Sequence, residues 1–313
     1  MGAILTATGL VKHFGDVRAV DGVHLHVRRG EIFGLLGPNG AGKTTTIRIL
    51  CQVLRPDAGS VTVDGLDLRK DGTAIKRLIG LVPQEIAVYK TLTASDNLVF
   101  FGRIYGLGGA ELRKRIDEAL DIVGLKSHAG RTVKTFSSGM TRRLNIAAGL
   151  LHRPKLLFLD EPAVGVDPQS RNHILESIQR LNREFGITVL YTSHYMEEVE
   201  QICKRAAIID HGRILVDDTI EHLISRHGGG ALLIVLDADA EAAAAALAEL
   251  EELEKATADG NRLTLLVENP QRFLPKILDR LTGLGAKVED LEVRRSNLET
   301  VFLNLTGRSL RDE

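Results

Sequence analysis

The sequence predicts an α/β fold, and three features of the chain support this. A glycine-rich segment, 37–45, follows a short apolar run, 31–36, and overlaps the start of a helix-like stretch, 43–54. A second run, 155–161, is apolar up to two final carboxylates, which is typical of a strand inside a parallel sheet. Beyond residue 231 the chain alternates three times between strand-like and helix-like segments. We therefore expect a parallel sheet flanked by helices, followed by a smaller α/β unit.

The glycine-rich segment matches the pattern G-x-x-x-x-G-K-[ST] between a strand and a helix. Glycines let the backbone curl so that successive N–H groups point at one anion, and the helix start adds a partial positive charge. Lys43 is a compact cation for the β- and γ-phosphates, and the Thr44 hydroxyl suits Mg²⁺. The segment therefore predicts a nucleoside triphosphate site. Its residues are Gly37, Pro38, Asn39, Gly40, Ala41, Gly42, Lys43, Thr44 and Thr45.

Size and composition exclude several classes of protein. A chain of 313 residues predicts one large domain or two of ordinary size. Its 40 basic and 41 acidic residues give no electrostatic reason to expect nucleic acid as a partner. Two cysteines provide no disulfide framework and no zinc pattern, so we expect a reduced cytosolic compartment. We find no signal peptide and no apolar run near the ~20 residues that cross a bilayer, so a membrane role requires a separate partner.

Short strands are expected on both sides of the glycine-rich segment. They are 4–7, 22–27, the hairpin 61–65 and 79–82. Phe14 lies near the turn between the first two strands, where it either stacks on an adenine base or belongs to a small core. The residues alone favour the core. Gln84 follows the last of these strands, and the residues alone assign it no role.

The segment from about 85 to 150 has helical character and reads as an insert between strands. Its apolar stripes, 98–105 and 112–123, are more typical of a core than of a ligand site. Ser137, Ser138, Gly139 and Met140 precede a predicted helix, 141–151. A Ser-Ser-Gly turn at a helix start is first of all a cap, and it is also a second potential phosphate site.

Candidate catalytic residues follow two of the predicted strands. Asp160 and Glu161 end the apolar run, a helix is predicted over 168–185, and His194 comes shortly after the next strand, 187–191. Ligands of parallel sheets bind beyond the carboxyl ends of the strands. Asp160 is suited to Mg²⁺ and Glu161 to a water molecule, although Asp-Glu-Pro also occurs as a turn followed by a cap. A lone histidine after a strand is usually incidental, but this one lies on the phosphate side.

A separate C-terminal unit is predicted after Gly228-Gly229-Gly230, which reads as a linker. The domain boundaries are then 1–227 and 231–313. Predicted strands and helices alternate along the second unit: 232–236, 240–254, 263–267, 271–281, 286–293 and 297–305. This alternation favours a small ferredoxin-like α/β domain.

Together, these motifs resemble the nucleotide-binding subunits of ATP-binding-cassette (ABC) transporters. The similarity runs from about residue 5 to 224 and is greatest to the daunorubicin-resistance-like ATPases of type-2 exporters. It implies a P-loop NTPase core with an antiparallel β subdomain and a helical insert. It implies adenine stacking for Phe14, a link between the metal site and the helical insert for Gln84, and the ABC signature for 137–140. It implies Mg²⁺ binding for Asp160, the role of catalytic base for Glu161 and γ-phosphate contact for His194. Segment 165–167, including Asp167, would cross between the two subunits.

Three departures from the family pattern bear on activity. Ser138 stands where the signature normally has a glycine, which adds a Cβ where backbone approaches a phosphate. Ala163 and Val164 replace Thr-Ser after the carboxylates, and Phe136 replaces a leucine. None of these changes touches Lys43 or the carboxylates, so we still expect hydrolysis.

The resemblance implies an ATP- and Mg²⁺-dependent homodimer that drives separate transmembrane permease subunits. It further implies export of a drug, lipid or polysaccharide-like substrate, with the chain peripheral on the cytoplasmic face of the membrane. The alternative is a soluble ABC-family ATPase acting on a ribosome or nucleic-acid complex. Ribosomal members usually carry two cassettes and a charged linker, and chromosomal members insert a long coiled coil. The sequence has neither feature. A regulatory module without hydrolysis is a further alternative, which Glu161 argues against.

Overall fold

The computed structural model describes residues 2–227, 230–248, 250, 253–267, 270–294 and 296–306. The chain divides into two compact units, Met1–Asp217 and Asp218–Glu313. Within the described residues, no helix combines the length and the apolar character needed to cross a lipid bilayer.

The first unit contains ten strands and seven α-helices among its described residues. The strands are β1 (Ala3–Phe14), β2 (Val17–Arg28), β3 (Ile32–Leu36), β4 (Ala58–Val63), β5 (Leu66–Asp67), β6 (Ile79–Val82), β7 (Leu156–Asp160), β8 (Thr188–Ser193), β9 (Arg205–Asp210) and β10 (Arg213–Thr219). The helices are α1 (Lys43–Leu50), α2 (Gly72–Leu78), α3 (Ala94–Ile104), α4 (Gly109–Ile122), α5 (Ser138–Leu150), α6 (Pro168–Phe185) and α7 (Met196–Ile202).

A central sheet has the strand order β10-β9-β3-β8-β7-β6. Strand β3 pairs in parallel with β8 and β9, and β7 pairs in parallel with β6 and β8. Strands β3, β7 and β8 are buried along their whole length, which explains the apolar sequences of β3 and of β7 up to Asp160. The pairs Leu36–Ser193 and Asp160–Thr192 put the carboxyl ends of these strands at one edge. The predicted phosphate and carboxylate segments therefore meet there.

A second sheet, of order β2-β1-β4-β5, forms the antiparallel part of this unit. Strands β1 and β2 are longer than predicted, because register shifts let both strands continue past the irregular positions. Gly9 is one such position, with a φ of 59°. The Asp64-Gly65 turn joins β4 to β5 as predicted, with both residues at positive φ.

Helices occupy the predicted insert, with 3₁₀ turns at Lys126–His128 and Val133–Thr135. Thr93 caps α3, since its hydroxyl accepts the Asp96 N–H at 3.0 Å. The same hydroxyl donates a hydrogen bond to Oδ2 of Asp96 at 2.6 Å. Helix α1 ends four residues earlier than predicted, where Gln52 adopts a φ of 61°. Helices α2 and α7 were not predicted, because seven residues show too little periodicity.

The second unit contains the antiparallel sheet β12-β13-β11-β14. Its elements are α8 (Ile220–His227), β11 (Gly230–Leu236), α9 (Glu241–Leu247), β12 (Leu253–Asp259), β13 (Arg262–Val267), α10 (Pro270–Gly283), β14 (Val288–Arg294) and α11 (Leu298–Thr306). From β11 to β14 the order is βαββαβ, the element order of a ferredoxin-like unit.

Two details of this unit differ from the sequence-based expectation. The predicted helix 240–254 is wrong, because the helix stops at Leu247 and β12 begins at Leu253. Strand β12 lies at the sheet edge and has few apolar residues, so the alanine run before it dominated the pattern. Gly230 begins β11 and pairs with Val267, so it is not a linker residue. Gly228 and Gly229 lie outside the described residues.

Helix α8 explains why the second unit begins at Asp218 rather than after the glycines. It packs against α11, the last helix of the second unit. The apolar residues of α11, including Val301 and Phe302, are buried. An apolar stripe on one helix face either closes the small domain or packs against the cassette or a second copy. Its burial and its packing with α8 agree with the first of these possibilities.

Replacing Phe302 with alanine is expected to destabilise the second unit by about 3–5 kcal/mol. The ring is 1% exposed, so its loss leaves a cavity between packed elements. Urea unfolding combined with hydrogen exchange of residues 218–306 measures the effect. Leu284→Ala is the control, since Leu284 is 49% exposed and its loss is expected to cost less than about 0.5 kcal/mol. Equal stability of the two variants would show that α11 does not hold this unit together.

Candidate active site

The phosphate loop joins β3 to α1, and its glycines are required by close packing. A Cβ on Gly37 would lie 2.2 Å from the Ile209 carbonyl oxygen. Gly42, the cap of α1, has a φ of 104°, and a Cβ there would lie 2.3 Å from the Ala19 carbonyl oxygen. Neither position admits a side chain without a backbone shift. The loop is therefore shaped by its own chain to present N–H groups at the start of α1.

Lys43 is buried at the centre of the site, with 4% of its side chain exposed. Its Nζ donates to the carbonyl oxygens of Gly37 at 2.7 Å and Pro38 at 2.9 Å. The same atom forms an ion pair with Glu161 Oε1 at 3.0 Å. The ammonium group is thus held over the loop, where phosphate oxygens would bind.

Asp160 lies beside Thr44, as the predicted Mg²⁺ site requires. Its Oδ1 accepts hydrogen bonds from the Thr44 hydroxyl at 3.1 Å and the Thr192 hydroxyl at 3.0 Å. Burial raises the pKa of Asp160 and outweighs these hydrogen bonds, which lower it. A buried carboxylate beside a hydroxyl is a set of hard oxygen donors, so the residues present fit Mg²⁺.

Glu161 is placed between two basic side chains. Its Oε1 contacts Lys43, and its Oε2 lies 3.3 Å from Nδ1 of His194. Burial acts to raise the pKa of Glu161, but the contacts with His194 and Lys43 outweigh it, so the pKa is lowered. The residue has a φ of 46°, a strained conformation for glutamate. Its N–H donates to the Thr192 hydroxyl at 3.0 Å, which helps to hold that conformation.

Phe14 and Gln84 are both exposed side chains. Phe14 ends β1 and is 52% exposed, so the ring does not belong to a core. Gln84 is exposed in the loop after β6, and its carbonyl oxygen accepts a hydrogen bond from Arg142. Among the described residues, no hydrogen bond joins its side chain to Thr44 or Asp160.

The predicted signature forms the start of α5. Ser137 is the cap, and its Oγ accepts the Met140 N–H at 3.2 Å. Ser138 is exposed in the first turn. Gly139 is packed tightly, since a Cβ there would lie 2.2 Å from Ser170 Oγ on α6. Packing within the chain therefore requires glycine at 139 but leaves room for serine at 138.

Asp167 caps α6 in this chain. Its Oδ1 accepts the Ser170 N–H at 2.9 Å, and this hydrogen bond holds the pKa of Asp167 below its usual value. The predicted helix 168–185 begins directly after it, with Pro168 in the first turn.

Two residues of the site were missed from the sequence. Thr192 bonds both carboxylate residues, but a threonine at a strand end carries no signal of its own. Arg142 donates to the carbonyl oxygens of Gln84 and, at 3.4 Å, of Val164. Its position on α5 gave no indication of this bridge, which depends on how three segments pack.

Comparison with known proteins identifies the family. Residues 20–164 match the family described as ABC transporter. The chain is 45% identical over 312 residues to the linearmycin resistance ATP-binding protein LnrL of Bacillus subtilis (strain 168), covering 99% of this chain and 100% of that protein. This chain belongs to the ABC transporter family. The daunorubicin/doxorubicin resistance ATP-binding protein DrrA of Streptomyces peucetius is 40% identical, over 98% of this chain and 94% of that protein.

Solved ABC structures share the fold of the cassette. The cbiO1 subunit of Clostridium perfringens, part of the transporter complex cbiONQ, has a TM-score of 0.67 at 27% identity, covering 72% of this chain and 92% of that one. A dimeric ATP-binding cassette bound to ADP and Pi has a TM-score of 0.62 at 26% identity, covering 69% of this chain and 98% of that one. The predicted branch and α/β cassette fold are confirmed. The chain is an ATP-binding and ATP-hydrolysing subunit of an ABC export system, and the ribosomal or nucleic-acid alternative is not favoured.

Asp160→Asn in this ABC ATPase is expected to leave the nucleotide-free chain equally stable, or more stable by up to about 1 kcal/mol at neutral pH. Burial raises the pKa of Asp160, so folding at neutral pH pays a desolvation cost that asparagine lacks. The gain should shrink as the pH falls and the wild-type carboxyl takes up a proton, because the pKa is higher in the folded state. Urea unfolding at several pH values measures it. A variant that is clearly less stable at neutral pH would contradict this account.

Proposed function

We propose that this ABC ATPase hydrolyses Mg-ATP at the edge where β3, β7 and β8 end. The proposal depends chiefly on one observation: Glu161 lies within 3.3 Å of both Lys43 Nζ and His194 Nδ1. A carboxylate held between a phosphate-binding lysine and a histidine is suited to act on water beside a γ-phosphate.

Substrate binding is assigned to groups around the loop. The N–H groups of 37–45 and Lys43 bind the β- and γ-phosphates, and the exposed ring of Phe14 stacks on adenine. Thr44 and Asp160 would hold Mg²⁺, with Gln84 approaching from its loop. When bound, this ion neutralises charge on the phosphate oxygens.

In the chemical step, Glu161 orients a water molecule and accepts its proton. The water oxygen bonds to the γ-phosphorus as the bond to the β–γ bridging oxygen breaks, and ADP and phosphate are released. His194 contacts the γ-phosphate from the side of Glu161. The lowered pKa of Glu161 keeps it ionised, so its chief contribution is to orient the water.

A homodimer completes each site in this proposal. The phosphate loop and the signature each occur once in the chain. The signature starts α5, which packs against α6 and leaves Ser137 and Ser138 exposed. Its N–H groups would then bind the nucleotide of the second copy, with Asp167 close to the boundary. A two-fold arrangement makes both sites complete through one interface, and one solved ATP-binding cassette similar to this chain is dimeric.

The movement that accompanies ATP binding and hydrolysis is passed to separate transmembrane permease subunits. Arg142 connects the Gln84 loop, α5 and the segment after Glu161, so a change at the nucleotide reaches the helical insert. We place the chain on the cytoplasmic face of the membrane through those subunits. Relatives named for linearmycin and daunorubicin resistance favour an antibiotic as the exported substrate.

Lys43→Ala is expected to weaken ATP binding about 10- to 100-fold, since it removes a charge-assisted phosphate contact. Hydrolysis should fall with it. Calorimetric titration with ATP and a phosphate-release assay measure the two effects. In cells that carry the subunit with its permease, antibiotic tolerance should fall as well. Unchanged turnover would refute the assignment of the ATP site. Lost turnover with unchanged tolerance would refute export of the antibiotic tested.

Glu161→Gln is expected to lower kcat by about 10²–10⁴ while ATP still binds. The amide keeps the shape of the side chain, but it lacks the second carboxylate oxygen that orients the water and cannot take the proton. Mg-ATP should then hold the variant as a dimer, which size-exclusion chromatography detects. Glu197→Gln is the matched control, because Glu197 is exposed on α7. A monomeric Glu161 variant with bound ATP would argue against the homodimer.

A further inference from the structure

A row of contacting side chains connects His194 to helix α6, and we call His194, Tyr195 and Arg171 the stack. The rings of His194 and Tyr195 have centroids 4.1 Å apart and are tilted by 40°. Arg171 makes a cation–π contact with Tyr195, with Cζ of its guanidinium 4.7 Å from the ring centroid. Arg171 in turn forms an ion pair with Glu198 of α7, with Nε 3.3 Å from Oε1. Arg171, Tyr195 and Glu198 take no part in the chemical step proposed for Glu161 and His194.

Glu198 is a buried carboxylate, with 3% of its side chain exposed. Its Oε2 accepts hydrogen bonds from the Tyr191 hydroxyl at 2.8 Å and the Ser193 hydroxyl at 2.7 Å. The Ser193 oxygen also accepts the Tyr195 N–H at 2.9 Å. Glu198 thus fixes the backbone on both sides of His194. A buried charge is costly to keep for stability alone, which points to a role for Glu198 at the adjacent site.

Both ends of this stack are in contact without being aligned for a hydrogen bond. Nε of Arg171 and Oε1 of Glu198 are buried and lie 3.3 Å apart outside hydrogen-bond geometry. His194 Nδ1 faces Glu161 Oε2 in the same way, also at 3.3 Å. Contacts of this kind often tighten only when the reacting complex forms. A small movement of the stack would change the alignment at each end.

The Arg171 end of the stack lies next to the signature. Arg171 is in the first turn of α6, directly after Ser170. Ser170 packs against Gly139, and its N–H is bonded to the cap residue Asp167. The first turn of α6 therefore contacts the signature through Ser170 and the histidine stack through Arg171.

We propose that Arg171 and Tyr195, anchored by Glu198, are positioning residues that set the His194 imidazole against Glu161 and connect it to the signature through α6. The inference rests on the proposed role of His194 in hydrolysis. A purely structural bridge between α6 and α7 is the competing explanation, and it predicts lower stability without a selective change in kcat.

The test uses steady-state hydrolysis and ATP binding by the full chain. Tyr195→Ala and Arg171→Met are expected to lower kcat about tenfold, with KM and ATP affinity within about twofold, because the imidazole is misplaced. Tyr195→Phe keeps the ring and should retain activity. Glu198→Gln should resemble Arg171→Met, and Glu197→Gln is its exposed control on the same helix. Should Glu198→Gln fail to fold, Tyr195→Ala still decides, since Tyr195 is 38% exposed.

A second background separates this proposal from the function on which it rests. In His194→Ala, the further substitution Tyr195→Ala or Arg171→Met should have little additional effect on kcat, because these residues act through the missing ring. Full activity of His194→Ala alone would overturn the catalytic role of the histidine. An impaired His194→Ala with fully additive losses would overturn the positioning proposal and leave the catalytic one standing. Parallel losses of melting temperature and ATP affinity in all variants would also overturn it.

Discussion

The ion pair between Lys43 and Glu161 is the interaction on which the site depends. It joins the phosphate loop of β3 to the carboxylates of β7, two segments more than a hundred residues apart in the sequence. Both side chains are almost fully buried, so each charge needs its partner and the carbonyl groups of the loop. The parallel pairing of the central strands brings the two together, and the loop glycines leave room for the lysine to fold back.

Two adjacent carboxylates divide the chemistry because their surroundings differ. Burial among hydroxyl groups raises the pKa of Asp160, whereas Lys43 and His194 lower that of Glu161. Alternation along the strand end sends the two side chains to different neighbours. The surroundings of Asp160 thus favour a bound cation that would neutralise its charge. Glu161 remains charged without a bound cation. Such opposed shifts are a usual sign of separate roles in one site.

Local patterns predicted the parts of the molecule whose signals are local. The bounds of β6 and α6, the Asp64-Gly65 turn and the phosphate loop all follow from residues adjacent in sequence. Strand β12 was missed because it is a polar edge strand after an alanine run. Thr192, Arg142 and Glu198 were missed for another reason. Their partners are set by tertiary packing, and nothing in the residues next to them indicates it.

The two central positions of the signature have different neighbours, with a consequence for how the sequence can vary. Gly139 meets Ser170 of its own chain, so any side chain there disturbs the interior before a nucleotide is present. Ser138 faces outward, and only the surface that approaches it limits its size. Substitutions at these two adjacent positions are therefore limited by two independent requirements. Position 139 is constrained by folding, and position 138 is constrained by assembly in the proposed homodimer.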